Sequence, residues 1–189
     1  EKRFESVGPV VGSELKNKSI RAIIYVLILI VAYIAFAFRK VSRPVASWKY
    51  GLIAVVALLH DVFIPTGVFA ILGHFRGVEV DTLFVTAMLT VLGFSVHDTI
   101  VVFDRIRENL RRRPQEGFSE NVNKSVNETF ARSINTSLTV FLVLWAVYFL
   151  GGQTTQTFAL TLILGVFFGT YSSIFVASPL LDLWAGKRR

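Results

Sequence analysis

The chain has 189 residues, of which 53% are hydrophobic and 17% charged, with no cysteine and a formal net charge of +7. Soluble domains usually carry about 45–50% apolar and about 25% charged residues, so charge has been withdrawn here, and its withdrawal leaves long apolar runs. The lack of cysteine excludes thiol catalysis, cysteine-ligated zinc, iron–sulfur clusters and disulfide staples. A nucleic-acid binder gathers lysine and arginine on a folded basic face; here they lie between apolar runs, so no nucleic-acid partner is expected.

In chain order the runs predict spans at about 20–38, 51–73, 82–103, 134–150 and 157–181. A bilayer core of about 30 Å takes about 20 mostly apolar residues at 1.5 Å each, and all five runs fall in that range. Five buried helices of a large soluble protein are the alternative, but such helices keep a polar stripe and average about 11–12 residues. The first run follows a charged segment and precedes further spans, which is not the pattern of a cleaved signal peptide.

Loop charge sets the expected orientation. Loop 39–50 holds Arg39, Lys40, Arg43 and Lys49; loop 104–133 holds seven cations, and the C-terminus holds Lys187, Arg188 and Arg189. The opposite side has Arg76 and the N-terminal Lys2, Arg3, Lys16 and Lys18. The N-terminus is expected outside and the C-terminus inside. Trp48, Tyr50 and Trp184 fall at the inner boundary, where amphipathic rings favour the headgroup level. The basic balance also implies attraction to anionic lipid or to an acidic partner surface.

Pro114 and Gly117 divide the long inner loop, and Phe118, Val122, Val126 and Phe130 recur every four residues after them. This predicts a separate amphipathic helix at about 118–131, capped by Ser119, whose apolar stripe lies in the interface or against another helix.

Two carboxylates fall inside the spans: Asp61 near the midplane of the second, and Asp98 about six residues, roughly 9 Å, from the inner end of the third. Charge at that depth is costly and is usually kept for function or for a fixed partner. Burial disfavours the charged form of an ionisable group, so either aspartate can exchange protons when water reaches it, or can instead hold helices together. His60 and His97 precede the aspartates and, as sequence neighbours, are expected on other helix faces as packing or hydrogen-bonding groups. Arg132, at the entrance to the fourth span, is either a boundary anchor or the cation that pairs with Asp98. Thr82, Thr86, Thr90, Gly93 and His97, and likewise Thr157, Thr161, Gly165, Gly169 and Ser173, recur at three or four residues and are expected to let helices approach closely.

The segment HDTIVVFDRIREN, with VGPVVGSEL at the start, LLHDVFIPTGVFAILG, VDTLFVTAMLTVLGFSVHDT, ARSINTSLT and GVFFGTYSSIFVASPL, resembles the SecF side of the SecD/SecF protein-export family over nearly the whole chain. The resemblance implies an all-α polytopic membrane protein of the resistance-nodulation-division type, with five transmembrane helices of a six-helix half-bundle. Residues 1–19 would then be the end of an exported domain and linker, preceded by a first helix, and 20–189 the transmembrane domain. It further implies a bacterial inner-membrane location and use of the proton gradient, with sodium as the alternative ion, to pull a translocating polypeptide outward. A SecD half, separate or fused, the SecYEG channel and YajC would be its partners. Asp98 and Arg132 match the residues associated with proton passage; Asp61, His97 and Thr99 are this chain's own secondary candidates for it. His97 departs from the family's usual asparagine. No catalytic site, metal or cofactor beyond the coupling ion is implied.

Three other readings compete. An intramembrane aspartyl protease would pair Asp61 with Asp98, but GFSVHD lacks the Gly-x-Gly-Asp context of those enzymes. A metal or small-solute transporter would use His60, Asp61, His97 and Asp98 as ligands, yet adjacent helical residues do not both face one ion. A passive assembly subunit would use its polar residues only as interhelical contacts.

Overall fold

The computed structural model describes residues 9–37 and 46–186, whose regular structure is entirely helical. The helices are α1 (Pro9–Ala37), α2 (Ser47–Arg76), α3 (Thr82–Arg112), α4 (Phe118–Leu150), α5 (Gln153–Ser172) and α6 (Ser178–Gly186), the last two joined by a π-wound stretch, Ser173–Ala177. Among the described residues five rods are long and apolar enough to cross a bilayer: Lys16–Ala37, Trp48–Arg76, Thr82–Arg112, Phe118–Leu150 and Gln153–Ala185. Tyr25, Leu29, Leu142, Val143 and Phe149 are exposed on their outer faces, a surface that hydrocarbon solvates and water does not. The chain is an all-α, multi-pass membrane protein.

Local chemistry sets the helix ends. Gly77 takes φ +66° after α2, where its N–H returns to the carbonyl of Gly73 at 3.1 Å; a residue with a Cβ resists that left-handed turn. The Asp81 side chain accepts the backbone N–H of Phe84 at 2.9 Å and caps α3. Pro65 sits within α2 and supplies no N–H to the carbonyl of Asp61 one turn earlier.

The bundle is tightest between α3 and α5. A Cβ placed on Gly165 would lie 2.0 Å from Val91 Cγ2, and one on Gly169 would lie 3.0 Å from Ser95 Cβ. The backbones can approach this closely only because these side chains are absent. Ala87, Val91, Leu144, Leu162, Ile163 and Val166 form the core beside this contact, while Tyr50, Ile53, Val102, Phe103, Ile106 and Leu181 form a second core nearer the α3–α4 turn. Helix α1 packs chiefly on α2 and is exposed over most of its length.

Several expectations are corrected. The amphipathic segment and the fourth span are one unbroken helix, α4. At 33 residues it is about 50 Å long, more than a bilayer core requires, so its first turns and the last turns of α3 project together. Asn109 Nδ2 donates to Ser125 Oγ (2.9 Å) and Glu128 Oε2 (2.8 Å), and Arg105 Nε donates to the same Glu128 oxygen at 2.6 Å. These bonds tie the projecting turns into one unit, and Val122 buries against Phe103 and Ile106 in the second core. Phe118, Val122 and Val126 of the stripe therefore pack on helices, while Phe130 is exposed. The N-cap of α4 is Gly117, while Ser119, one residue into the helix, donates to Asp182 Oδ1 on α6 at 2.6 Å.

Tyr50 is fully buried against Phe103, ring centroids 5.3 Å apart, and so turns its ring to the core and not to lipid. Trp48 and Trp184 do meet at that end, 6.0 Å apart, with Lys49 Nζ 5.1 Å over the Trp184 ring. Residues 9–19 continue α1 as helix. Residues 1–8, with Lys2 and Arg3, and Arg39, Lys40, Arg43, Lys187, Arg188 and Arg189 lie outside the described residues.

Gly165→Ala should lower stability by about 1–3 kcal/mol, the usual cost of overpacking, and Val91→Ala in the same chain should recover part of it. Unfolding in a bilayer-mimetic solvent, comparing the single and double variants, checks this.

Candidate functional site

Both aspartates are buried where α2, α3, α4 and α5 converge. Asp61 is fully buried on α2. Its Oδ2 accepts the hydroxyls of Ser95, on α3, and Ser172, the last residue of α5, the latter at 2.7 Å; His60 Nδ1 lies 2.9 Å from its Oδ1. Asp98, on α3 one turn after Ser95, is 8% exposed. Its Oδ1 accepts Ser133 Oγ of α4 at 2.6 Å, and its Oδ2 accepts Ser173 Oγ at the start of the π-wound stretch. Each carboxylate is thus engaged on both oxygens, by donors from two or three helices.

The helices explain why these groups meet. Gly169 lets α5 close on Ser95, and one turn later α5 presents Ser172 to Asp61 and Ser173 to Asp98. The winding changes at that point, and Ser178 Oγ donates to the carbonyl of Ser173 at 2.9 Å. Single π turns occur often at functional sites, because an extra residue per turn re-aims neighbouring side chains. Ser133 and Ser137 share the buried face of α4; Ser137 pairs with Thr170 of α5 and donates to the carbonyl of Ser133.

The other anticipated residues divide. Arg132 is exposed beside Ser133 and makes no ion pair with Asp98. One helical position is a rotation of about 100°, so with Ser133 turned to Asp98, Arg132 faces a polar cavity of about 420 Å³ that also contacts Asp104, Arg105, Glu108, Glu128 and Thr129. His97 is exposed and apart from both carboxylates, whereas His60 bonds its neighbour Asp61, contrary to the different-face expectation. The His60 ring also stacks on Tyr171 of α5, ring centroids 6.2 Å apart. Thr99 is buried, and its Oγ1 has no hydrogen-bond partner among the described residues. Thr82, Thr86, Thr90, Gly93 and His97 form an exposed face of α3, with Thr86 and Thr90 bonding only the carbonyls one turn back. That stripe is exposed among the described residues, while Thr161, Gly165, Gly169 and Ser173 are buried as expected.

Sequence reading placed the carboxylates but missed their holders Ser95, Ser133 and Ser172. Two features were available: a serine three residues before Asp98, and two consecutive serines in an otherwise apolar run. The arrangement offers two protonatable groups in an apolar bundle, each held by hydroxyls that can donate to a carboxylate or accept from a carboxylic acid. It is not a pair of carboxylates facing each other across one proton, as an aspartyl dyad requires. Among the described residues no three histidine or acidic side chains converge as a ligand set.

Replacing an unpartnered buried hydroxyl with an isosteric methyl removes a desolvation cost of about 1–3 kcal/mol. Thr99→Val should therefore leave stability unchanged or raise it within that range, as read from thermal unfolding of the membrane-embedded chain.

The chain matches, over residues 1–187, the family described as protein export membrane protein SecD/SecF, C-terminal. It is 58% identical over 184 residues to the protein translocase subunit SecF of Thermobaculum terrenum, covering 97% of this chain and 57% of that protein. It is 44% identical to the SecF subunit of Anaerolinea thermophila, covering 96% and 58% respectively. The crystal structure of SecDF, a translocon-associated membrane protein from Thermus thermophilus, superimposes with a TM-score of 0.83 at 40% identity over 96% of this chain and 23% of that one. The chain thus spans somewhat over half the length of the SecF proteins it matches.

Proposed function

Because the chain belongs to the SecD/SecF family of protein export membrane proteins, we propose that it is the membrane half of a subunit that couples proton flow to polypeptide translocation. The observation that carries this reading is Asp98: an ionisable group inside the bundle, on α3, gripped by a hydroxyl from α4 and another from the π-wound stretch that follows α5. An ionised carboxylate accepts both hydroxyls strongly. Once protonated it holds them less strongly, and α4 and α5 are free to shift against α3. Arg132 is carried on α4 next to Ser133, so such a shift moves a fixed positive charge relative to Asp98. One charge crossing 100 mV supplies about 2.3 kcal/mol, enough to bias a rocking of helices held by a few such bonds.

The partner is a SecD half, since the similar Thermus thermophilus SecDF carries both names in one chain. The exposed Thr82, Thr86, Thr90 and Gly93 face of α3 suits close approach by another helix. The SecYEG channel, with YajC, would deliver the polypeptide, and the pull would act late, on the outer side. Family membership supports a bacterial inner-membrane location, and loop charge favours a cytoplasmic C-terminus. The coupling ion is the proton; sodium would use the same carboxylate.

The test uses the complete SecD/SecF complex with its channel in membrane vesicles at imposed pH gradients. Asp98→Asn and Arg132→Met should each reduce ion conductance and gradient-stimulated polypeptide export at least tenfold, with assembly unchanged. Export that remains gradient-stimulated in both variants contradicts the proposal, and dependence on a sodium gradient in place of a proton gradient reassigns the ion.

A further inference from the structure

Asp61 is as deeply buried as any charged side chain among the described residues, and the reading above gives it no step. Its position relative to Asp98 follows from one turn of α5. Ser172 Oγ lies 2.7 Å from Asp61 Oδ2 and 3.1 Å from the carbonyl oxygen of Gly169. Ser173 Oγ bonds Asp98 Oδ2 and lies 2.9 Å from the carbonyl oxygen of Thr170. Each hydroxyl carries one proton, so each of these consecutive serines has two acceptors within reach and can serve only one fully.

That geometry is a two-position switch. While a carboxylate is ionised, the serine proton points to it. When the carboxylate binds a proton, its own O–H donates to the serine oxygen, and the serine proton turns to the carbonyl one turn back. No proton is gained or lost by the serine. Ser172 and Ser173 are adjacent, Ser173 opens the π-wound stretch, and their alternative acceptors, the carbonyls of Gly169 and Thr170, are consecutive on the same turn, so strengthening one of these bonds bears on the backbone that positions the other. We propose that the Ser172–Ser173 turn couples protonation of Asp61 to protonation of Asp98, making Asp61 a second, positioning carboxylate of the ion-driven step. This rests on the reading that Asp98 takes the coupling ion.

Few other charges face the pair. On α2, His60 bonds Asp61 and stacks on Tyr171 of α5. Asp61 also receives Ser95 from α3, one turn from Asp98. Asp98 faces Ser133 of α4, with Arg132 beside it and exposed, and His97 on its own helix is exposed. Among the described residues, His60 is the one basic side chain within ion-pair distance of either aspartate, its Nδ1 2.9 Å from Asp61 Oδ1.

The experiment is pH-difference infrared spectroscopy on the complete SecD/SecF complex in lipid, following the carboxyl band that Asp98→Asn removes. Asp61→Asn should displace the pH midpoint of that band by at least one unit, a tenfold change in proton affinity. In a Ser172→Ala background the same Asp61→Asn change should move it less than threefold. An unchanged midpoint in Asp61→Asn overturns the proposal. So does an equal displacement with and without Ser172, which would mean a through-space effect of charge. If Asp61→Asn does not assemble, Ser172→Ala alone must move the midpoint at least threefold, and no movement overturns the proposal. Export that survives Asp98→Asn would defeat the functional reading while leaving this coupling measurable; uncoupled midpoints alongside lost export would defeat only this inference.

Discussion

A carboxylate in the apolar middle of a helix bundle must have its oxygens taken up by donors or lose its charge, and this chain meets that demand twice with neutral donors. Serine hydroxyls from α3, α4 and α5 fill most of the positions around Asp61 and Asp98, and a half-buried histidine fills another. Neutral donors matter physically. A buried arginine would fix an aspartate as an ion pair that is expensive to separate, whereas a hydroxyl serves the carboxylate and the carboxylic acid alike. The same hydroxyls can therefore hold either protonation state of the acid, which the proposed ion-coupled role needs.

Much of the packing follows from bringing those hydroxyls to the acids. Gly165 and Gly169 let α5 lie against Val91 and Ser95, so that Ser172 and Ser173 arrive at carboxylate distance. The π-wound stretch places its first residue on Asp98, and Pro65 leaves the backbone carbonyl of Asp61 without the usual intrahelical donor. At the other end, Asn109, Arg105, Ser125 and Glu128 join the projecting turns of α3 and α4. A displacement of α4 at Ser133 would carry this joined unit with it, which links the buried site to the solvent-exposed α3–α4 turn.

The all-helical fold and the number of spans were legible in the sequence, because bilayer thickness converts directly into run length. The carboxylates were legible too, since an acid in an apolar run stands out. What composition hides is helix facing. Arg132 and Ser133 are neighbours, and only the rotation of α4 decides which of them meets Asp98. The Thr82 to His97 stripe has the spacing of a packed seam but lies on the outside of this chain, and Tyr50, a plausible boundary ring, is core because α2 turns it toward Phe103. The break expected between 131 and 134 is absent because the buried face of α4, Asn121, Ser125, Thr129, Ser133 and Ser137, runs through it without a phase change.

The central claim, that hydroxyls from neighbouring helices hold an ionised acid, is tested most directly by a double-mutant cycle across Asp98 and Ser133, read from the unfolding free energy in bilayer. Interhelical hydrogen bonds between neutral groups average about 0.6 kcal/mol in membranes, while bonds to a charged group contribute about 1.5–3 kcal/mol. The account predicts a coupling above about 1.5 kcal/mol at a pH where Asp98 is ionised. A coupling near zero would contradict it.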